Sequence, residues 1–281
     1  MNAFDFDKWL AEALNEDIGP GDFTTLATIP DNALGKAQLI VKDNGILAGV
    51  TIAEKIIHAF DSSLKVTTFI QDGATVQKGD IAFIVEGKSQ SITTIERLVL
   101  NVMQRMSGIA TETNRLVQMI SHTNCKLLDT RKTTPNFRYF EKEAVRIGGG
   151  YNHRYALYDM ILVKDNHIDF AGGVKPALSK ISEFIKERNL SIKVEVETRN
   201  LEEVDEVIET SVAFRIMLDN FTPEKLREAV LHINGRVETE ASGGINENTL
   251  VSYAETGVDF ISMGALTHHV KSFDLSLKAI K

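Results

Sequence analysis

Between residues 126 and 264 the chain repeats one rhythm: a short apolar run, a turn, a helical segment. The runs are Lys126 to Thr130, Ile161 to Lys164, Ile192 to Glu197, Phe214 to Asp219, Arg236 to Ser242 and Phe260 to Gly264. The helices between them carry readable N-caps, Asn200 before Leu201, Thr222 before Pro223 and Asn246 before Glu247, whose side chains can satisfy the first free amides. Strands that alternate with helices pair in parallel. Both an open doubly wound sheet and a closed barrel fit that rhythm, and the strand ends decide between them. Five consecutive strands finish in a polar residue or glycine: Lys164, Glu197, Asp219, Ser242 with Gly243-Gly244, and Gly264. In a βα barrel such ends converge on one mouth, where the chemistry is done. Six units are too few for a complete barrel, so the expectation is an α/β chain with an incomplete βα barrel or one closed by an extra strand. No Gly-x-Gly-x-x-Gly follows a strand and no P-loop is present, which removes the usual dinucleotide and nucleotide fingerprints.

The first half has a different texture. Phe6, Trp9, Leu10, Ala13 and Leu14 recur at helical spacing until Gly19-Pro20-Gly21 stops the helix. Lys36 to Val41, Lys65 to Ile70 and Ile81 to Val85 read as strands, and Thr51 to Phe60 as a helix. A long amphipathic helix from about Thr94 to Ile120 follows, with Leu98, Val102, Met106 and Ile109 on one stripe. The expected domains are an N-terminal α+β domain (1–112), a barrel catalytic domain (113–267) and a C-terminal tail (268–281) that packs back on the first domain.

Composition narrows the function. With 281 residues, 43% of them hydrophobic and 25% charged, the chain can build a core without staples. A net charge of −8 argues against a general nucleic-acid binder, which needs a basic face. A single cysteine, Cys125 in an apolar run, excludes an intrachain disulfide and reads as a buried packing residue in a reducing compartment. No stretch reaches the ~20 apolar residues that span a bilayer, and Met1 to Trp9 lacks the apolar run of a signal peptide. The cytoplasm is the expected location.

Against that acidic background, cations gather where the barrel mouth should be. The segments Asp129-Thr130-Arg131-Lys132-Thr133-Thr134-Pro135, Gly148-Gly149-Gly150-Tyr151-Asn152-His153-Arg154 and Val163-Lys164-Asp165-Asn166-His167 place Arg131, Lys132, His153, Arg154 and Lys164 in loops or at strand ends. Arg138, Lys142 and Arg146 instead fall where ordinary helical surface charge falls. Several cations at one mouth suit a ligand with more than one anionic group; pairing with Asp129, Asp159 and Asp165 is the bland alternative. Glu197 and Asp219, at adjacent strand ends, can hold Mg2+, ribose hydroxyls or a cationic centre. Glu195 shares the inward parity of Glu197, because side chains alternate along a strand, and pattern does not separate the two. Ser242-Gly243-Gly244 and Met263-Gly264-Ala265 follow the last two strands, where small residues let backbone amides approach a phosphate.

These motifs resemble those of the quinolinate phosphoribosyltransferase family, as do Met217-Leu218-Asp219-Asn220, Glu240-Ala241-Ser242-Gly243-Gly244-Ile245 and Gly264-Ala265-Leu266-Thr267. In the first half, Glu16-Asp17-Ile18-Gly19-Pro20-Gly21-Asp22 and Arg105-Met106-Ser107-Gly108-Ile109-Ala110-Thr111 also match. Asn136 and Tyr151 depart from the pattern. The resemblance covers nearly the whole chain and implies a type II phosphoribosyltransferase-like barrel. It also implies a glycosyltransferase of NAD biosynthesis that makes nicotinate mononucleotide, carbon dioxide and pyrophosphate from quinolinate and phosphoribosyl pyrophosphate with Mg2+. By position it assigns Arg97, Arg131, His153 and Arg154 to the two quinolinate carboxylates, with Thr130 in the same loop. Lys132 and Lys164 fall beside the reacting carboxylate and the phosphates, and Glu197 and Asp219 beside ribose or metal. The loops at Ser242, Gly243, Gly244 and at Met263, Gly264, Ala265 take the 5′-phosphate. It further implies a homodimer in which Arg97 reaches the partner's site.

Three other readings stay open at this level: a related phosphoribosyltransferase with another acceptor, a binding scaffold on an inactive barrel, and a carrier module. The last rests on Asp72-Gly73-Ala74-Thr75-Val76-Gln77-Lys78-Gly79-Asp80, which resembles the hairpin of biotinyl and lipoyl domains but lacks their modifiable lysine on a tight turn.

Overall fold

A computed structural model describes residues 4–280. The elements in chain order begin with α1 (Phe6–Asp17), α2 (Phe23–Thr28), β1 (Leu34–Val41), β2 (Gly45–Ile46), α3 (Val50–Phe60), β3 (Lys65–Thr68), β4 (Thr75–Val76), β5 (Ile81–Lys88) and α4 (Ser89–Met119). They continue with β6 (Lys126–Leu128), α5 (Arg138–Ile147), β7 (Ile161–Val163), α6 (Asp165–Ala171), α7 (Val174–Glu187), β8 (Val194–Thr198), α8 (Leu201–Thr210) and β9 (Arg215–Asp219). The last are α9 (Pro223–Ile233), β10 (Glu238–Ser242), α10 (Glu247–Ala254), β11 (Phe260–Ser262), α11 (Ala265–His268) and β12 (Leu275–Ile280).

The chain divides into two compact units that do not follow a single cut. One gathers 115–132 and 150–265; the other gathers 4–114, 133–149 and 266–280. In the second unit the sheet order is β12-β1-β5-β3, all antiparallel, with the C-terminal β12 paired to β1 from Lys36↔Ile280 to Val41↔Leu275. The tail is therefore an edge strand, and α2, capped by the Asp22 side chain on Thr25 N at 3.0 Å, is a short helix that the sequence pattern did not mark. The carrier-like hairpin has a structural job here. Its Asp72 accepts from Val50 N at 2.8 Å and Thr51 N at 3.1 Å, so it caps α3, whose own N-cap, Gly49, has no side chain to do so. Within α5, Lys142 is buried, not a surface charge as its spacing suggested; the helix turns that side of itself inward together with Glu141.

The first unit carries the expected barrel. Its six strands are all parallel in the order β6-β11-β10-β9-β8-β7. A doubly wound sheet has its first strand inside, flanked by later ones on both sides; here β6 pairs with β11, the last strand of the unit, which is how a barrel begins to close. Beyond β6 the chain adds an isolated parallel bridge, Leu128↔Tyr151, with Tyr151 N donating to Leu127 O at 2.8 Å. Tyr151, one of the two departures from the family pattern, thus supplies a stub of strand beside β6. Asn136, the other, has φ of 60°, a left-handed conformation that asparagine tolerates better than most residues. Among the described residues no ladder joins β7 to Tyr151, so the barrel is incomplete. Cys125 is buried and its thiol is pushed up to about 12 by burial, which fits packing and not nucleophilic chemistry.

Candidate active site

The inward face of the barrel unit is polar where most barrels are aliphatic. The register sets Glu195 beside Arg215 and Arg215 beside Glu238, with Glu197 beside Met217 and Met217 beside Glu240. At the floor the Arg215 guanidinium lies 4.0 Å from the Phe260 ring centre and holds Glu238 at 2.8 Å and Glu240 at 3.2 Å. One layer up, Glu195 and Glu240 are fully buried beside the His153 imidazole, whose Nε2 is 3.0 Å from Glu195 and 3.6 Å from Glu240. At the mouth, Lys164 Nζ bonds Glu197 Oε2 at 2.9 Å. Glu195 and Glu197, inseparable by pattern, therefore do different work: Glu197 faces the mouth and Glu195 lies beneath it.

The cations are held by local backbone chemistry. Buried Asp129, just past β6, accepts His153 N at 2.8 Å and Asn152 Nδ2 at 2.7 Å. Asp159 accepts Tyr155 N at 2.7 Å and Ala156 N at 2.6 Å, closing the loop that carries Arg154. Two of the acids expected to neutralise the cations are thus engaged with backbone amides, and the third, Asp165, accepts Asn166 N at 2.6 Å. Arg154 is half-buried and donates to Met160 O at 3.2 Å. Its guanidinium is pushed below the ordinary arginine range by burial and then by the neighbouring charge of Arg131. Arg131 and Lys132 are exposed, with Lys132 N bonded to Thr130 Oγ1 at 3.0 Å. The charges of Asp159 and Glu195 act against the shift at Arg154, and its guanidinium stays available for a bidentate contact with an anion.

His153 is held by the protein on both sides of its ring. Its Nδ1 accepts Arg154 N at 2.7 Å and its Nε2 faces Glu195 and Glu240. Both ring nitrogens are turned to the protein, and the side chain sits beneath the mouth instead of presenting a donor to solvent.

At the end of β10, Gly243 has φ of 100° and lies against the Asn220 amide, where a Cβ would collide; Gly244 has φ of 63° with open space beside it. Only glycine accepts both demands at Gly243. Met263 N donates to Leu128 O at 3.0 Å, so β11 ends on β6 and Gly264 leads directly into α11, which begins at Ala265. Asp219 ends β9 and accepts Asn220 Nδ2 at 2.6 Å. Arg97 is exposed on α4, in the other unit. The residues that sequence reasoning missed are Arg215 and Glu240; strand parity alone could have placed both inward, but a charged residue inside a barrel strand gives no sign of what it meets.

The Glu240 carboxyl is pushed up to about 8, first by burial and then by the charge of Glu195; burial likewise raises Glu195. Burial and the mutual charge of the two carboxyls favour a proton shared between them, as in paired acids. The consequence for stability has a definite sign. Below the unfolded value of 4.5 Glu240 is protonated in both states; as pH rises to about 8 the unfolded chain ionises first, so stability falls across that window. Glu240→Gln, neutral at every pH, is expected to flatten that fall and to melt higher than the parent above pH 8. Thermal melts of both proteins from pH 5 to 9 check it, and parallel curves would refute it.

Known proteins are similar to this chain along nearly its whole length. The family model for the quinolinate phosphoribosyl transferase N-terminal domain matches residues 22–107, and that for the C-terminal domain matches residues 109–278. The chain is 46% identical to quinolinate phosphoribosyltransferase (decarboxylating) 2, mitochondrial, of Nicotiana glauca, over 98% of this chain and 82% of that protein. It is also 46% identical to the chloroplastic nicotinate-nucleotide pyrophosphorylase (carboxylating) of Arabidopsis thaliana, over 98% and 83%. The solved structure of the nicotinate-nucleotide pyrophosphorylase from Francisella tularensis superposes with a TM-score of 0.90 at 42% identity, covering 97% of this chain and 95% of that one. With both family domains matched in order and relatives of this identity along nearly its whole length, the chain belongs to the quinolinate phosphoribosyltransferase family.

Proposed function

We propose that the barrel mouth joins quinolinate to phosphoribosyl pyrophosphate and releases carbon dioxide and pyrophosphate, leaving nicotinate mononucleotide for NAD biosynthesis. The observation that carries this reading is the gathering of Arg131, Lys132, Arg154 and Lys164 at the strand ends and loops of the mouth of an acidic chain, a set of cations that suits an acceptor with two adjacent carboxylates beside a polyphosphate. Arg154 and Arg131 take those carboxylates, and Lys132 and Lys164 face the phosphates and the carboxylate that leaves. The Gly243-Gly244 turn, with its open space, and the Gly264 turn receive the 5′-phosphate. As pyrophosphate departs, positive charge grows on the ribose carbon, and Glu197 and Asp219 stabilise it through space. The pyridine nitrogen forms the new bond to that carbon. Its positive charge then accepts the electron pair of the breaking carbon–carboxylate bond, and a proton takes the place of carbon dioxide.

Mg2+ fits the same mouth. Glu197 and Asp219 offer hard oxygens at the ends of neighbouring strands, and Mg2+ is commonly held by one or two carboxylates plus substrate phosphates. When bound it neutralises charge on the leaving pyrophosphate. A homodimer, with Arg97 completing the partner's site, is part of the proposal. Large apolar side chains left in water support it: Phe23 and Leu34 are 71% and 78% exposed in the second unit, and Phe170 is 90% exposed in the barrel unit. A cytoplasmic location is proposed on the buried lone thiol; no helix among the described residues is long and apolar enough to cross a membrane.

The test is incubation with phosphoribosyl pyrophosphate, Mg2+ and carboxyl-labelled quinolinate. Release of label with formation of nicotinate mononucleotide is the expected result. Turnover of nicotinate with none of quinolinate would overturn the choice of acceptor.

A further inference from the structure

The barrel interior holds one cluster that the reaction above does not use: Glu195, Glu240 and His153, mutually close and buried. A metal ion is the first occupant to consider, since each residue offers a ligand atom and these lie within 4.8 Å of one another. The hydrogen bonds argue against it. His153 Nδ1 accepts Arg154 N at 2.7 Å, so the ring proton resides on Nε2, the atom that would have to bind the metal. A metal-bound imidazole normally donates from its other nitrogen, the reverse of this pattern. Arg215, 3.2 Å from Glu240, adds a positive charge on the same carboxylate.

The same bonds describe a chain of support that ends at the substrate. Arg215 is fixed by Phe260 and Glu238 and holds Glu240. Glu195 and Glu240 lie 3.0 Å and 3.6 Å from His153 Nε2, at ion-pair distance though off the line of a hydrogen bond, and pack the buried ring from that side. His153 Nδ1 then receives the backbone amide of Arg154, and the loop beyond is closed by Asp159. We propose that Glu195 and Glu240 are positioning residues: they hold the His153 ring in the orientation that fixes the Arg154 backbone, and so aim the Arg154 guanidinium at a carboxylate of the acceptor. The inference rests on the function proposed above and deepens it, because it assigns acceptor binding to two residues that never touch the acceptor. A ring freed to rotate takes its Nδ1 away from Arg154 N, and a bidentate guanidinium contact is sensitive to direction as well as distance.

Glu195→Met tests it. Glu195 makes no bond to Arg215, and methionine of similar size fills the space, so the variant is expected to fold and to melt no lower than the parent. Its KM for quinolinate is expected to rise about tenfold while its KM for phosphoribosyl pyrophosphate stays within about twofold. Glu195→Gln, which keeps the shape and a polar end, is expected to recover quinolinate KM to within about threefold of the parent. In a His153→Ala background, Glu195→Met is expected to have no further effect, since the two act in series. An unchanged quinolinate KM, equal rises in both KM values, or effects that multiply in the double variant would overturn the proposal. So would stoichiometric zinc or manganese by elemental analysis in the parent and not in Glu195→Met. Should Glu195→Met fail to fold, Glu195→Leu is read by the same two KM values and the same cycle. A parent that releases no carbon dioxide from quinolinate removes the function and this inference together; an active parent with an unaffected variant removes the inference alone.

Discussion

Lys164→Ala is expected to lower turnover about a thousandfold with little change in melting temperature. The side chain is 49% exposed and its pairing with Glu197 at 2.9 Å lies at the mouth, where an ion pair is worth about 0 to 1 kcal/mol to the fold. The local structure does not depend on it either. The start of α6 is held by Lys164 N donating to His167 Nδ1 at 2.9 Å and by Ile168 N donating to Lys164 O at 3.1 Å, both backbone bonds that alanine keeps. The chemistry depends on it far more. Negative charge grows on the leaving pyrophosphate as the ribose bond breaks, and a fixed ammonium in a partly dry mouth stabilises that charge more than the ground state. Loss of Lys164 also leaves Glu197, only 9% exposed at its side chain, to reorient away from the ribose. Steady-state kinetics beside a thermal melt decide the matter: a drop of many degrees with modest loss of turnover would make Lys164 a structural residue.

A mixture of two inactive variants is expected to recover activity. Arg97→Ala and Lys164→Ala alter different units of the chain, one on exposed α4 and one after β7. If each site takes Lys164 from one subunit and Arg97 from its partner, random re-pairing makes half the dimers mixed, each with one site lacking neither residue. Recovery approaches about one quarter of the parent activity, as symmetric site-sharing requires. Co-refolding the two proteins and assaying carbon dioxide release measures it. No recovery would place Arg97 in its own chain's site or outside any site. Arg97→Lys separates the contact from the charge: a higher quinolinate KM with the dimer intact is expected, because lysine lacks the planar fork that grips a carboxylate.

The sequence was most legible where its pattern is periodic or its residues are chemically rare. Alternating strand and helix from Lys126 onward predicted the parallel barrel, and polar strand ends at Lys164, Glu197 and Asp219 predicted its mouth, because a strand with buried flanks has little reason to end in charge. It was least legible where one face of an element depends on a distant neighbour. Lys142 has the spacing of a surface charge and is buried. The tail strand Leu275–Ile280 has no meaning until β1 offers it an edge.

By itself the sequence determined that this chain builds a barrel, gathers cations against a net charge of −8, and carries the motifs of one family; propensity, periodicity and residue chemistry are local properties. Tertiary structure alone decided what each charge does. Glu195 and Glu197 are two residues apart on one strand and share one face, yet one meets Lys164 at the mouth and the other meets His153 and Glu240 below it. The partners come from the end of β7, from β10 and from the segment between α5 and β7, and only the closing of the strands brings them to different depths.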